Sequence, residues 1–92
     1  MEEFIYGRRE LSPDAVSVTV LPDYMLRIRY INGQLRDFDM KPLLERKCYA
    51  ELKNELLFRS ARVEYGTVQW ANGTDINPEW LYEDSVPVHT VE

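Results

Sequence analysis

The amino-acid sequence predicts one α+β domain, with a helical segment packed on one face of a small antiparallel sheet of about five strands in the order β-β-β-α-β-β-α. Three observations lead to this prediction. Apolar and polar residues alternate over residues 15–21 and 24–31, Asn32-Gly33 follows the second run, and apolar residues recur at helical spacing over 42–57. A period of two is typical of half-buried strands, and Asn-Gly between such runs is a strong hairpin signal.

Length and composition limit the organisation of the chain. Its 92 residues are enough for one domain with a thin core. The hydrophobic content of 45% and the charged content of 29% are typical of globular proteins rather than disordered ones. We expect residues 1–14 to form a flexible arm, 15–84 to form the domain, and 85–92 to form a frayed tail.

The sequence also predicts a cytoplasmic protein. Cys48 is the only cysteine, so no internal disulfide can form. The first ten residues contain acids and no apolar run, so we expect no signal peptide. No stretch has the roughly 18 consecutive apolar residues of a membrane span, so we expect no membrane association.

The third strand, over residues 34–40, presents a conflict of register. A two-residue turn at Asn32-Gly33 would place Asp37 and Asp39 opposite the apolar residues Ile28 and Leu26. One extra residue in a strand reverses which face each side chain occupies. We therefore predict a β-bulge near residues 36–37; a sheet covered on both faces is the alternative.

The segment 42–57 is predicted to form two short helices or one kinked helix, with Asp39 capping the first turn. Leu44, Cys48 and Leu52 lie four residues apart and would form its buried stripe, which Leu43, Leu56 and Phe58 could extend. Strands are expected at 61–65 and 68–70, with turns at Tyr65-Gly66 and Asn72-Gly73, and Asn77-Pro78-Glu79 is typical of a helix start. The predicted core includes Val18, Ile28, Leu44, Leu52, Val63 and Trp70.

Charge is distributed unevenly along the chain. The net charge is −5, and the six acids of residues 63–92 are accompanied by no lysine or arginine. An acidic surface repels nucleic-acid phosphates and attracts basic proteins. The alternative is a solvated surface that only keeps the protein soluble.

Catalytic and metal sites are not predicted. The single histidine, His89, lies in the predicted tail, and Cys48 belongs to the predicted apolar stripe, so no nucleophile–base pair is expected. Asp37 and Asp39 share one face of a strand and could hold Mg²⁺, but surface ion pairs and a helix cap are the simpler interpretation. We predict no enzyme activity, no cofactor and no metal.

The most distinctive motif is W-A-N-G-T-D-I over residues 70–76, followed by L-Y at 81–82, with D-M-K-P-L-L at 39–44 as a second. Over residues 15–82 the pattern resembles the bacterial family called domain of unknown function 2442 (DUF2442). The resemblance implies a small α+β domain with an antiparallel sheet, and an antitoxin-like role beside another small protein. Asp37 departs from the family pattern, in which this position is usually apolar.

Two functions therefore remain open. The first is a protein-binding module, antitoxin-like, that binds a basic partner through the acidic C-terminal third. Its predicted partner-binding residues are Asp75, Glu79, Trp80, Tyr82, Glu83 and Asp84. Asp75 could instead accept backbone hydrogen bonds at its turn, and the aromatic residues could instead fill the core. The second function is nucleic-acid binding through the arginines Arg8, Arg9, Arg27, Arg29 and Arg36.

Overall fold

The computed structural model describes residues 12–88. The predicted roles of residues 1–11, including Arg8 and Arg9, and of His89 lie outside the described residues. The described chain contains six strands, two 3₁₀ helices (η1 and η2) and two short α-helices. In chain order these are β1 Ala15–Leu21, β2 Met25–Tyr30, β3 Leu35–Asp39, η1 Leu43–Glu45, η2 Lys47–Lys53, α1 Glu55–Phe58, β4 Arg62–Glu64, β5 Thr67–Gln69, α2 Pro78–Glu83 and β6 Val86–Pro87.

The predicted α+β class is confirmed, with its strands divided between two antiparallel sheets. The larger sheet has the order β1-β2-β3-β6, and β4 and β5 form a separate hairpin. Residues 86–87, which we expected in a frayed tail, pair instead with Asp37 and Arg36 of β3. The N–H of Val88 also donates to the carbonyl oxygen of Leu35 at 2.9 Å. Proline lacks an N–H, so Pro87 is suited to this edge strand.

The extra residue that sets the register of β3 lies in the turn. Tyr30 N–H donates to Gln34 O at 2.8 Å, and Gly33 N–H donates to Tyr30 O at 2.9 Å. Gly33 has a φ of +91°, as expected for the last residue of a three-residue hairpin loop. The two-residue turn and the bulge near residues 36–37 were therefore both wrong. With this loop, β2 and β3 pair Leu26 with Phe38 and Arg27 with Asp37.

The other two predicted turns are confirmed. Asn72-Gly73 repeats the loop just described, because Trp70 N–H donates to Thr74 O at 2.8 Å and Gly73 has a φ of +91°. Tyr65 and Gly66 both have positive φ, +53° and +80°, which defines a two-residue type I′ turn. A Cβ on Gly66 would lie 2.7 Å from Asp14 Oδ1, so a larger residue would have to displace this exposed side chain, and the positive φ itself favours glycine.

Strand β1 contains an irregularity that the alternating pattern did not reveal. Its pairing with β2 shifts by one residue between Ala15 and Ser17. Alternation over residues 15–21 places Val16 on the same face as Val18 and Val20, but Val16 is 47% exposed, whereas those two valines are half-buried against the core. A β-bulge changes the face on which a side chain lies, and the alternation of apolar and polar residues does not reveal it.

The predicted helical segment is present, but most of it is 3₁₀ helix. A 3₁₀ helix has three residues per turn, so Tyr49 and Leu52 share the buried side of η2, and Cys48 is exposed. The stripe through Cys48 was therefore wrong, as was its extension to Leu56, which is 81% exposed. Asp39 Oδ1 accepts from Lys41 N–H at 2.9 Å, just before the helical segment rather than inside it.

One core cluster joins the inner face of the large sheet to the helical segment and the small hairpin. Ile28, Leu44, Leu52 and Trp70 are buried as predicted, and Val18 and Val63 are half-buried against the cluster. The other buried hydrophobic residues are Ala15, Leu26, Tyr30, Phe38, Met40, Tyr49, Phe58, Val68, Ile76 and Leu81. None of the helices within residues 12–88 has the length and apolar character needed to cross a bilayer.

Candidate docking surface

Helix α2 carries most of the predicted partner-binding residues, and it is held firmly at its start. Asn77 Oδ1 accepts from the N–H groups of Glu79 and Trp80 at 2.8 and 3.1 Å, and Pro78 occupies the first turn. This is the cap that the sequence predicts. Leu81 is fully buried and fixes the side of the helix that faces the core.

Trp80, the residue before Leu81, is 41% exposed. The guanidinium carbon of Arg46, from the junction of η1 and η2, lies 5.4 Å from the centroid of the Trp80 ring. This distance is within the range of a cation–π contact. Of the three consecutive residues Trp80, Leu81 and Tyr82, Trp80 is therefore the exposed one.

Tyr82 does not share this surface. Its ring packs edge-to-face on buried Tyr30, with centroids 5.0 Å apart, and the Arg36 guanidinium carbon lies 4.5 Å above it. The Tyr82 hydroxyl donates to Gln34 Oε1 at 3.3 Å. Tyr82 is half-buried and joins α2 to the sheet, and its role as a partner-binding residue stays a prediction.

Ser85 and Arg36 clamp the end of α2 to β3. Arg36 Nε donates to Ser85 Oγ at 2.6 Å, and Arg36 Nη2 donates to Ser85 O at 2.8 Å. The Ser85 hydroxyl in turn donates to Tyr82 O at 2.6 Å. Ser85 is only 6% exposed. Nothing in the local sequence indicated this clamp, because its members are 49 residues apart.

The four predicted acidic residues occupy different environments. Glu83 and Asp84 are exposed at the C-terminal end of α2, and Glu79 is half-buried in its first turn. Asp75 is exposed on the loop before the helix, where its main chain forms a bridge with Gln69. The turn role considered for Asp75 belongs to Asn72, whose Oδ1 accepts from Thr74 N–H at 3.0 Å.

Residues 63–92 contain no arginine, but the fold places two arginines from earlier in the chain against them. Arg46 lies against Trp80 and Arg36 lies against Tyr82 and Ser85, so two positive charges offset part of the local negative charge. Glu83 and Asp84, at the C-terminal end of α2, remain exposed to solvent. We use the name α2 surface for Glu79, Trp80, Glu83 and Asp84.

The three arginines of the alternative nucleic-acid site that lie within residues 12–88 do not form one surface. Arg27 and Arg29 lie on the outer face of the large sheet, whereas Arg36 is paired with buried Ile28 and points to the α2 side. Arg27 also donates to both carboxylate oxygens of Asp37, at 2.8 and 3.0 Å. That hydrogen bond, followed by the charge of Asp37, raises the pKa of Arg27 above its ordinary value.

The two carboxylates of β3, Asp37 and Asp39, each form an ion pair with a basic side chain. Asp37 binds Arg27, and Asp39 Oδ1 lies 3.1 Å from the Lys41 ammonium. The hydrogen bond to Asp39 is the main cause that raises the pKa of Lys41. Within residues 12–88, no three histidine, cysteine, aspartate or glutamate side chains are grouped in a way that could hold a metal ion.

Comparison with known proteins gives a family and no closer relative. A search of curated proteins and a search of solved structures each found no match. The sequence model of the family described as "Protein of unknown function (DUF2442)" matches residues 15–87. This match includes both distinctive motifs and strand β6. The chain therefore belongs to the DUF2442 family.

Proposed function

We propose that this protein is a protein-binding module, antitoxin-like in its action, and that the α2 surface receives a basic partner. The observation that carries the proposal is the 41% exposure of Trp80 beside exposed acids on a helix that is fixed at both ends. Exposed tryptophans on rigid supports are frequent hot spots of protein interfaces.

The position of the acids supports a cationic partner. The C-terminal end of a helix carries a partial negative charge, so acids there are unfavourable for the helix itself. Glu83 and Asp84 lie at this end, and no basic residue of α2 lies in its last turn. Arg36 of β3 already brings one positive charge to this end of the helix, and a lysine or arginine of a partner would add to its compensation of the two exposed acids.

Two sets of variants would test the proposal through binding kinetics. Replacing Glu83 and Asp84 with Gln and Asn should slow association and weaken its salt dependence, because exposed charges mainly steer the encounter. Trp80→Ala should instead speed dissociation, with a loss of ~2 kcal/mol or more if Trp80 is a hot spot. Capture of the partner from the native host, followed by surface plasmon resonance, provides the measurement.

Matched controls lie on other parts of the chain. Tyr65→Ala removes a 94% exposed aromatic side chain from the tip of the β4–β5 hairpin, and Glu55→Gln removes an exposed acid from α1. Both controls should bind the partner as the unaltered protein does. Unchanged kinetics in both α2 sets would refute the α2 surface as the docking site.

A further inference from the structure

The chain contains two Asn-Gly pairs in loops of the same geometry. In each loop the glycine N–H donates to the carbonyl oxygen three residues earlier, at 2.9 Å. In each, the asparagine Oδ1 accepts from the N–H two residues later, at 3.0 Å. Asn32 and Asn72 are both exposed, and Gly33 and Gly73 share a φ of +91°. The two pairs therefore form a natural comparison within one protein.

Asn-Gly is the dipeptide that cyclises to a succinimide most readily, because glycine has no side chain to hinder attack by its own nitrogen. The glycine nitrogen attacks Cγ of the asparagine, a new N–Cγ bond forms, and the Cγ–Nδ2 bond breaks. The glycine amide proton and the side-chain amide leave together as ammonia. Water then opens the succinimide ring at either carbonyl and leaves aspartate or isoaspartate.

One contact distinguishes the two asparagines. Asn72 Nδ2 donates to Glu51 Oε1 of η2 at 2.8 Å. The loop that contains Asn72 is also bonded to the turn after α1, because Ala71 N–H donates to Ser60 Oγ at 2.9 Å. The Asn32 side chain makes the Oδ1 contact with Gln34 and no other hydrogen bond within residues 12–88.

The contact with Glu51 opposes cyclisation in two ways. It restrains the leaving amide and holds the side chain away from the geometry of attack. The nearby carboxylate charge also disfavours loss of the proton from the Gly73 nitrogen, since like charges repel. We propose that Asn32 is the preferred site of spontaneous deamidation in this protein, and that Glu51 protects the otherwise equivalent Asn72.

The test is a time course of deamidation in the full chain in warm, mildly alkaline buffer. Trypsin separates the two sites, since cleavage after Arg29 and Arg36 releases residues 30–36 and cleavage after Arg62 leaves residues 63–92. Tandem mass spectrometry then follows each site. We expect Asn32 to react about two to five times faster than Asn72, the effect of one modest hydrogen bond.

Two comparisons assign the difference to Glu51. In Glu51→Ala the rate at Asn72 should rise toward that at Asn32, with Asn32 unchanged, whereas Glu45→Ala, at an exposed acid of η1, should alter neither rate. In the urea-denatured chain the two rates should converge. The proposal is overturned if Asn72 reacts as fast as Asn32 in the folded protein, if neither site reacts, or if Glu51→Ala leaves Asn72 unchanged.

Discussion

At the scale of single residues, Tyr30 is unusual because it is buried without a polar partner. It is 2% exposed, and its hydroxyl has no hydrogen-bond partner within residues 12–88. Burial is the main cause that raises its pKa above the ordinary value of 10.0. The neighbouring Arg36 opposes this shift, and Tyr82 adds to it.

Tyr30→Phe should therefore leave the free energy of unfolding unchanged or increase it. A buried unpaired hydroxyl costs roughly 1–3 kcal/mol, and phenylalanine removes that cost without opening a large cavity. Tyr24→Phe is the matched control, because the Tyr24 hydroxyl donates to the carbonyl oxygen of Lys53 and its removal should lower stability. Urea denaturation provides the measurement, and an equal loss in both variants would contradict the interpretation.

The same residue predicts a sensitivity to alkaline pH. The unfolded tyrosine ionises near 10.0 and the folded one ionises higher. The stability that this difference contributes is complete below the unfolded pKa and is lost as the pH rises toward the folded pKa. Between about pH 8 and about pH 11, Tyr30→Phe should therefore lose less stability than the unaltered protein. Tyr49, whose pKa burial also raises, should account for part of the remaining loss.

At the scale of elements, the structure depends on the link between α2 and the sheet. Ser85 accepts a charged hydrogen bond from Arg36 and donates to Tyr82 O. Ser85→Ala should destabilise the protein by ~1–3 kcal/mol, because the two part-buried partners of the hydroxyl lose their bonds. Ser17→Ala, at an exposed position of β1, should have a smaller effect in the same urea experiment.

Hydrogen exchange would locate the effect of Ser85→Ala. The amide of Val88 donates to Leu35 O at the edge of the sheet, so its exchange should become faster in this variant. The amide of Tyr30, at the β2–β3 turn, should change less. Equal acceleration at both amides would indicate general loosening rather than detachment of β6.

Elements were predicted better than their internal geometry. Asn-Gly occurs in both two-residue and three-residue hairpin loops, so the pair at 32–33 predicted a hairpin but not its register. Likewise the apolar residues of 42–57 predicted a helix. The four-residue spacing placed Cys48 on its buried side, whereas the three-residue turn of a 3₁₀ helix buries Tyr49 instead. In both cases the choice depends on how the segment packs against the rest of the chain.

At the scale of the whole molecule, stability depends on one thin core. Leu52 is fully buried and brings η2 into the core cluster. Leu52→Ala should cost ~2–5 kcal/mol, the range for removing a buried leucine side chain. That range could be most of the stability of a chain of 92 residues. Leu56→Ala is the control, because Leu56 is exposed, and its urea midpoint should change little.

The candidate site was predicted in part. Its own residues are close together in the sequence, but the residues that contact them are not. The cap at Asn77 and the short helix after it were predicted from residues 77–82, but which aromatic residue of this helix is exposed was not. The contacts of Arg36 and Arg46 with the rings of Tyr82 and Trp80 join elements far apart in the sequence. Neither arginine could be assigned to the acidic third before the fold was known.

The contrast between the two tryptophans provides an optical assay. Trp70 is fully buried, with its indole N–H donating to Phe58 O at 3.0 Å, whereas Trp80 is 41% exposed. Acrylamide should therefore quench the fluorescence of Trp80 in the folded protein and leave that of Trp70 nearly intact until unfolding. Trp80→Phe should remove the quenched component, and a bound partner on the α2 surface should shield it. A single unlabelled sample can thus report folding through one indole and docking through the other.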